Sequence, residues 1–203
     1  MKVLLFNGSP HKEGCVYTAL QEVAGALEKE GVESEILWIG TKPVSGCLAC
    51  RRCYEKGHCV LEDGVAELSA RLDEFDGFIF GSPVYYGSAG GQICSFMDRL
   101  FYSSSAKLRG KPAAAVVSCR RGGATAAFDR LNKYFTISQM PVVSSQYWNQ
   151  VHGNSPEEVR QDEEGMQIMR TLGKNMAWLL KSIHTAALPL PEREKPAHTN
   201  FIR

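Results

Sequence analysis

Four of the seven cysteines in this chain fall at Cys47, Cys50, Cys53 and Cys59, in the spacing C-x2-C-x2-C-x5-C. Three cysteines at steps of three can turn their thiolates toward one centre, the local arrangement that iron-sulfur ferredoxins use for three corners of a cubane. Zinc sites are usually built from two separated pairs, so this spacing prefers iron to zinc. Arg51, Arg52 and Lys56 bring positive charge among the cysteines, which stabilises thiolates. Zinc, and thiols that are redox-active or idle, stay open as readings of the same residues. Cys94 and Cys119 read as small buried hydrophobes.

Three other stretches combine glycine with groups that can hold a ligand. Asn7-Gly8-Ser9-Pro10-His11-Lys12-Glu13-Gly14-Cys15-Val16-Tyr17-Thr18 joins an apolar strand to a helix start. It offers hydroxyls, amides and a basic group at a positive helix terminus, the ingredients of a phosphate cradle. The Lys-Ser/Thr pair of a P-loop and the glycine spacing of a dinucleotide turn are both missing. A cysteine phosphatase would want an arginine soon after Cys15, and none follows until Arg51. Gly81-Ser82-Pro83-Val84-Tyr85-Tyr86-Gly87-Ser88 sets two tyrosines in a shaped turn, where they can face a flat heterocycle or simply cap the core. Ser118-Cys119-Arg120-Arg121-Gly122-Gly123-Ala124-Thr125 lets a ligand approach backbone at the paired glycines, beside two arginines that serve an anion or are merely solvated. His58, His152, His184 and His198 lie far apart with no obvious carboxylate partners, which argues against a hydrolase.

The elements that must position these loops alternate between β-branched apolar runs and segments of helical period. Strands are expected at Lys2 to Phe6, Glu33 to Ile39, Gly77 to Gly81, Pro112 to Ser118 and Met140 to Ser144. Helices are expected at Gly14 to Lys29, Gly64 to Glu74, Ser88 to Tyr102 and Gly123 to Phe135. A last helix starts at a capping box of Ser155, Pro156 and Glu158 and runs to His184. Five strands in this alternation imply an α/β doubly wound parallel sheet with helices on both faces, in either the dinucleotide-binding order or the order 2-1-3-4-5. Both put ligands at the carboxyl ends of the strands, where the three loops fall. Residues 1–188 read as one domain with a cysteine-rich insertion at 40–62, and 189–203 as an extended tail able to wrap a neighbouring subunit.

The Gly8-Ser9-Pro10-His11 loop with Gly14, the Gly81-Ser82-Pro83-Val84-Tyr85-Tyr86 turn and the Gly122-Gly123 loop together resemble the NADPH-dependent FMN reductase family of flavodoxin-like proteins. The resemblance runs from Met1 to about Leu180. It implies a flavodoxin-like five-stranded sheet of order 2-1-3-4-5 that binds FMN non-covalently. Ser9, His11 and the helix start at Cys15, Val16 and Tyr17 would meet the phosphate; Pro83, Val84, Tyr85, Tyr86 and Gly87 would lie along the isoalloxazine, with Ser118, Arg120, Gly122 and Gly123 at its other edge. Cys15 and Val16 replace the family's usual Asn-Thr pair, which removes side-chain contacts to the phosphate. The four cysteines are similar to the compact motif of the iron-sulfur flavoproteins, a branch of the same family that holds a [4Fe-4S] cluster beside FMN and moves single electrons.

A flavin needs little from its protein beyond binding, orientation and tuning, so no catalytic triad is expected. The leading expectation is an oxidoreductase passing electrons from NAD(P)H through FMN to a small acceptor such as a flavin or quinone. The alternatives are an electron carrier with a cluster at the cysteines, reduced by ferredoxin, and a flavin-binding protein without turnover. The family resemblance also implies a homodimer or homotetramer; Trp148 and residues 146–153, which follow the fifth strand, would reach the flavin edge or fill the subunit interface.

Composition agrees with one ordinary globular domain: 203 residues, 44% hydrophobic, formal net charge +1. A chain of this length buries roughly 70% of its unfolded surface and needs no disulfide or structural metal to hold a core. Near-zero charge without a basic run argues against nucleic acid and anionic membranes as partners. Val3 to Phe6 is too short for a signal-peptide core, and nowhere do about 18 apolar residues run together. A cytoplasmic protein with reduced thiols is expected.

Overall fold

The computed structural model describes residues 1–197 and 199. His198 and the far end of the expected tail, Asn200 to Arg203, lie outside them. Val3, Leu4, Leu5 and Phe6 are fully buried because β1 (Lys2–Asn7) lies between β2 (Glu33–Trp38) and β3 (Gly77–Tyr85), parallel to both. Beyond β3 come β5 (Ala113–Cys119) and β6 (Gln150–His152), so the five parallel strands stand in the order 2-1-3-4-5. A sixth, two-residue strand, β4 (Ser88–Ala89), folds back antiparallel on the end of β3, which corrects the expected count of five.

Alternation along the buried strands divides the apolar side chains between two faces. Leu4, Phe6, Phe78, Phe80, Ala115 and Val117 face α3 (Gly64–Arg71), α4 (Gly91–Leu108) and α5 (Ala124–Ile137); Val3, Leu5, Ile79, Ala114 and Val116 face α1 (Cys15–Lys29) and α7 (Glu163–Ala186). The rings of Phe6 and Phe80 stack across neighbouring strands, 4.2 Å between centroids and 4° between planes. A four-residue helix, α2 (Cys53–Lys56), sits in the loop between β2 and α3. Among the described residues, no helix is long and apolar enough to cross a membrane.

Several expected boundaries move. Met140 to Ser144 is not the fifth parallel strand, because Pro141 has no N–H to give a ladder. Its carbonyl accepts from Ala113, Val142 makes one isolated bridge to Ala113, and the chain then leaves the sheet. It rejoins β5 seven residues later as β6, a segment with a single buried apolar residue, Val151. The expected last helix is two helices. Ser155 caps α6 (Pro156–Gln161) by accepting the Glu158 N–H, but the Glu158 carboxylate takes the Asn154 N–H instead of closing a capping box. Asp162 then breaks the run and caps α7 by accepting the Gly165 N–H at 2.9 Å. β3 extends past Gly81 to Tyr85, and α4 starts at Gly91 rather than Ser88 and continues to Leu108. The described part of the tail lies against its own domain, with Arg109 donating to the Pro191 carbonyl.

α1 and α7 touch at Gly173, where an added Cβ would lie 2.6 Å from the Ala26 Cβ and 2.8 Å from the Val23 carbonyl oxygen. Gly25 on α1 has nothing within 4 Å of the same position. Gly173→Ala is expected to lower stability by about 1–3 kcal/mol through overpacking, and Gly25→Ala to raise it by up to about 1 kcal/mol through helix propensity. Urea unfolding of the two variants, followed by far-UV circular dichroism, measures both signs.

Candidate functional site

The loop after β1 is organised by the buried side chain of Asn7. Its Nδ2 donates to the carbonyls of His11 and Lys12 at 3.3 and 2.9 Å, and its Oδ1 accepts the Ser9 N–H at 3.1 Å. Ser9 Oγ accepts the His11 N–H at 3.1 Å, and Trp38 Nε1 donates to the Ser9 carbonyl at 2.9 Å. Held in this way, the loop runs into α1, whose N-terminus carries neither a side-chain cap nor an acidic residue in its first turn. Free amides at the positive end of a helix suit an anion. His11, Lys12, Cys15, Trp38, Asn154 and Pro156 are among the residues around an open cleft of about 530 Å³ beside it.

The second loop is a tight hairpin. Tyr85 pairs with Ser88 across Tyr86 and Gly87, whose φ values of 50° and 72° give the doubly left-handed turn that matches strand twist. Tyr86 is fully exposed and Tyr85 half exposed, so neither caps the core. The third loop ends at Gly123, which has φ 92° and begins α5. A Cβ there would lie 2.7 Å from the Gly87 Cα, so the hairpin and this loop meet backbone to backbone. Ser118 is buried, and Arg120 and Arg121 are exposed at the rim.

The expected phosphate residues divide by role. Ser9 and His11 belong to the ordered loop. The side chain of Val16 is buried in the core, and Tyr17 borders the groove between α1 and β2 with Gln21 and Ile36, so at these two positions the groups at the cradle are backbone amides. Cys15 sits at the helix start, its thiol donating to the Gly153 carbonyl at 3.9 Å, and burial pushes that thiol above its ordinary pKa.

A second site lies on the α3 and α4 side of the sheet. Cys47, Cys50, Cys53 and Cys59 all border one pocket, closed by Leu48, Val60, Leu61, Arg99 and Tyr102. All four are free thiols, and among the described residues no three potential ligands are already drawn together at metal-binding distances. The loop between them turns through Ala49 (φ 51°) and Arg51 (φ 60°). Left-handed backbone costs a non-glycine residue about 1–2 kcal/mol, and two such residues this close mark a segment held in shape by its surroundings. Burial pushes the Cys53 thiol up, and Cys50, Cys47 and Cys59 push it the same way. Four cysteine sulfurs border one apolar pocket, and soft sulfur donors that lose their protons on binding a metal make a set that fits a thiolate-ligated metal centre.

Sequence reasoning placed Asn7 in its loop without a role of its own, and missed Trp38, Asp63 and Arg99. Asn7 had a signal, as a polar residue ending a buried strand immediately before a glycine. Arg99 had one too, as a charge on a helix face otherwise filled by Ile93, Phe96 and Leu100. It is 1% exposed and bound to Asp63 and Cys59.

Comparison with known proteins bears on the family and the fold of this chain. The model of the NADPH-dependent FMN reductase family matches residues 1–154. An iron-sulfur flavoprotein of Methanocaldococcus jannaschii is 33% identical over 193 residues, which cover 90% of this chain and 99% of that one. Among solved structures, a flavodoxin from the domain Archaea superposes with a TM-score of 0.60 at 16% identity, over 89% of this chain and 99% of its own. RosB with a bound 8-demethyl-8-formylriboflavin-5'-phosphate superposes with a TM-score of 0.71 at 14% identity, over 100% and 94%. These two likenesses are of fold.

Asn7→Ala removes three hydrogen bonds from the loop at the α1 terminus and leaves their partners to water. The expected result is an affinity for FMN weaker by about 5- to 150-fold, from about 1–3 kcal/mol of lost loop order. Titration of the cofactor-free protein with FMN, read by flavin fluorescence, measures the change.

Proposed function

The chain belongs to the NADPH-dependent FMN reductase family, whose members are flavodoxin-like flavoproteins, and from that premise we propose that it is an iron-sulfur flavoprotein carrying single electrons between FMN and a [4Fe-4S] cluster on Cys47, Cys50, Cys53 and Cys59. The observation that carries the reading is the gathering of all four cysteines around one pocket, with a buried arginine donating to one of the sulfurs. FMN accepts and releases electrons singly or in pairs, and a cluster handles them singly. Two relatives from Methanocaldococcus jannaschii, one of near-equal length, carry the name iron-sulfur flavoprotein.

In this reading Ser9, His11 and the amides of Cys15, Val16 and Tyr17 hold the FMN phosphate. Pro83, Val84, Tyr85, Tyr86 and Gly87 lie along the isoalloxazine, with Ser118, Gly122 and Gly123 at its opposite edge. Arg120 supplies charge to a negative ring edge or to a phosphate of an incoming donor. The exposed Tyr147 and Trp148 beside β6 belong to a homodimer or homotetramer contact. Leu48, Arg51, Arg52 and Tyr54, exposed around the cysteines, suit an acidic electron-carrier protein such as a ferredoxin.

A second reading, an NAD(P)H-dependent FMN reductase whose cysteines are uncommitted thiols, is favoured by the exposed Arg120 and Arg121 at the rim of the carboxyl edge, which suit a nicotinamide dinucleotide. Purification without oxygen separates the two. The first reading expects about four iron and four sulfide for each FMN, with iron lost and FMN kept in Cys50→Ser. FMN without iron or sulfide, together with rapid bleaching of the flavin by NADPH, would select the second. Absence of FMN even after adding it back would defeat both.

A further inference from the structure

Arg99 is a charge on the buried face of α4, and each of its three side-chain nitrogens donates a hydrogen bond. Nη1 and Nη2 bind the two oxygens of Asp63 at 2.6 and 2.9 Å, and Nη2 also donates to the Leu61 carbonyl at 3.3 Å. Nε and Nη2 both donate to Cys59 Sγ at 3.3 Å. Burial alone would lower the guanidinium pKa, but Asp63 and Cys59 outweigh it and hold the group above its ordinary value. Asp63 in turn accepts the Val65 N–H and caps α3.

Taking a guanidinium out of water is costly and is offset only when its hydrogen bonds are good. The Asp63 side is a bidentate, charge-matched pair. The Cys59 side is poor if the sulfur is a neutral thiol, a weak acceptor. It becomes good when that sulfur carries negative charge, as a metal-bound thiolate does. The geometry points to Arg99 as the positioning residue of the cysteine site: it orients Cys59 and, through two N–H donors on its sulfur, raises the reduction potential of the centre held there, while Asp63 moderates that effect by balancing the guanidinium charge. The inference rests on the cluster reading above. Reduction adds negative charge to the ligand sulfurs, so donors aimed at them favour the reduced form. Arg99 itself gives up neither a proton nor an electron.

The test is a dithionite titration of the anaerobically purified full chain, with cluster reduction followed by electron paramagnetic resonance and iron counted on the same samples. Arg99→Gln is expected to lower the midpoint potential, and Arg99→Lys, which keeps the charge but loses the fork, to lower it less. Asp63→Asn keeps an equally good helix cap and leaves the guanidinium charge unbalanced, so it is expected to raise the potential. Opposite signs are something a purely structural role does not produce. Unmoved potentials, shifts of the same sign, or folded variants that both lose iron would overturn the tuning role. Should Arg99→Gln fail to fold, Asp63→Asn decides alone, a rise supporting the inference and anything else overturning it. Iron-loaded wild type with unmoved variants removes only this inference, whereas wild type without iron removes the cluster reading and this inference together.

Discussion

β1 ends opposite Gly81 of β3 with nothing between the two strands but backbone, and the carboxyl edge depends on that contact. The Gly8 N–H donates to the Gly81 carbonyl at 2.9 Å, and a Cβ on Gly8 would lie 2.6 Å from that same oxygen. A Cβ on Gly81 would lie 2.7 Å from Val16 Cγ1 and 3.0 Å from the Phe6 carbonyl oxygen. Parallel strands require crossovers, and at this pair they leave toward opposite faces, α1 to one and α4 to the other. The free amides of α1, the Tyr86-Gly87 hairpin and the Gly123 loop are thereby delivered to one edge, the edge proposed for the flavin.

The same arrangement joins the two sites through α4. That helix starts one residue past the hairpin strand β4, and in its first turn Gln92 Nε2 donates to the Gly40 carbonyl at 2.6 Å, fixing the start of the cysteine-rich loop. Two turns further on, Arg99 holds the end of that loop through Cys59, Leu61 and Asp63. Between these ties the loop covers little apolar surface and is mostly exposed, so its shape rests on a few polar contacts and on strained turns at Ala49 and Arg51. A segment of this kind gains much of its order from whatever its thiols bind.

How much was legible in advance follows from how local each signal is. The buried runs at Val3 to Phe6 and Phe78 to Phe80, and the periodic stripe through Met169, Leu172 and Met176, announce themselves because every residue reports the same environment. The last strand did not, because an edge strand of three residues with one buried side chain has no period to read, while Met140 to Ser144 is apolar for reasons of packing and is spoiled by Pro141. The break at Asp162 was hidden for a related reason: the stripe of α7 continues the phase of α6, and only the capping bond to Gly165 reveals the restart. At the sites, glycines and cysteines were visible because their chemistry is intrinsic. Asn7 acts through partners 2 to 5 residues away in an irregular loop, Arg99 through partners 36 to 40 residues away, and the second kind of pairing becomes visible only when the chain is folded.

The two sites proposed for this domain are a flavin at the carboxyl edge of the sheet and a four-cysteine metal centre beside the middle of α4. Their most direct test is a crystal structure of anaerobically purified protein, with diffraction recorded on both sides of the iron absorption edge. The account predicts a single anomalous peak enclosed by Cys47, Cys50, Cys53 and Cys59, with flavin density along the Pro83 to Gly87 hairpin in the same map. A fully occupied flavin beside four unligated cysteines, or iron bound anywhere else, would contradict it.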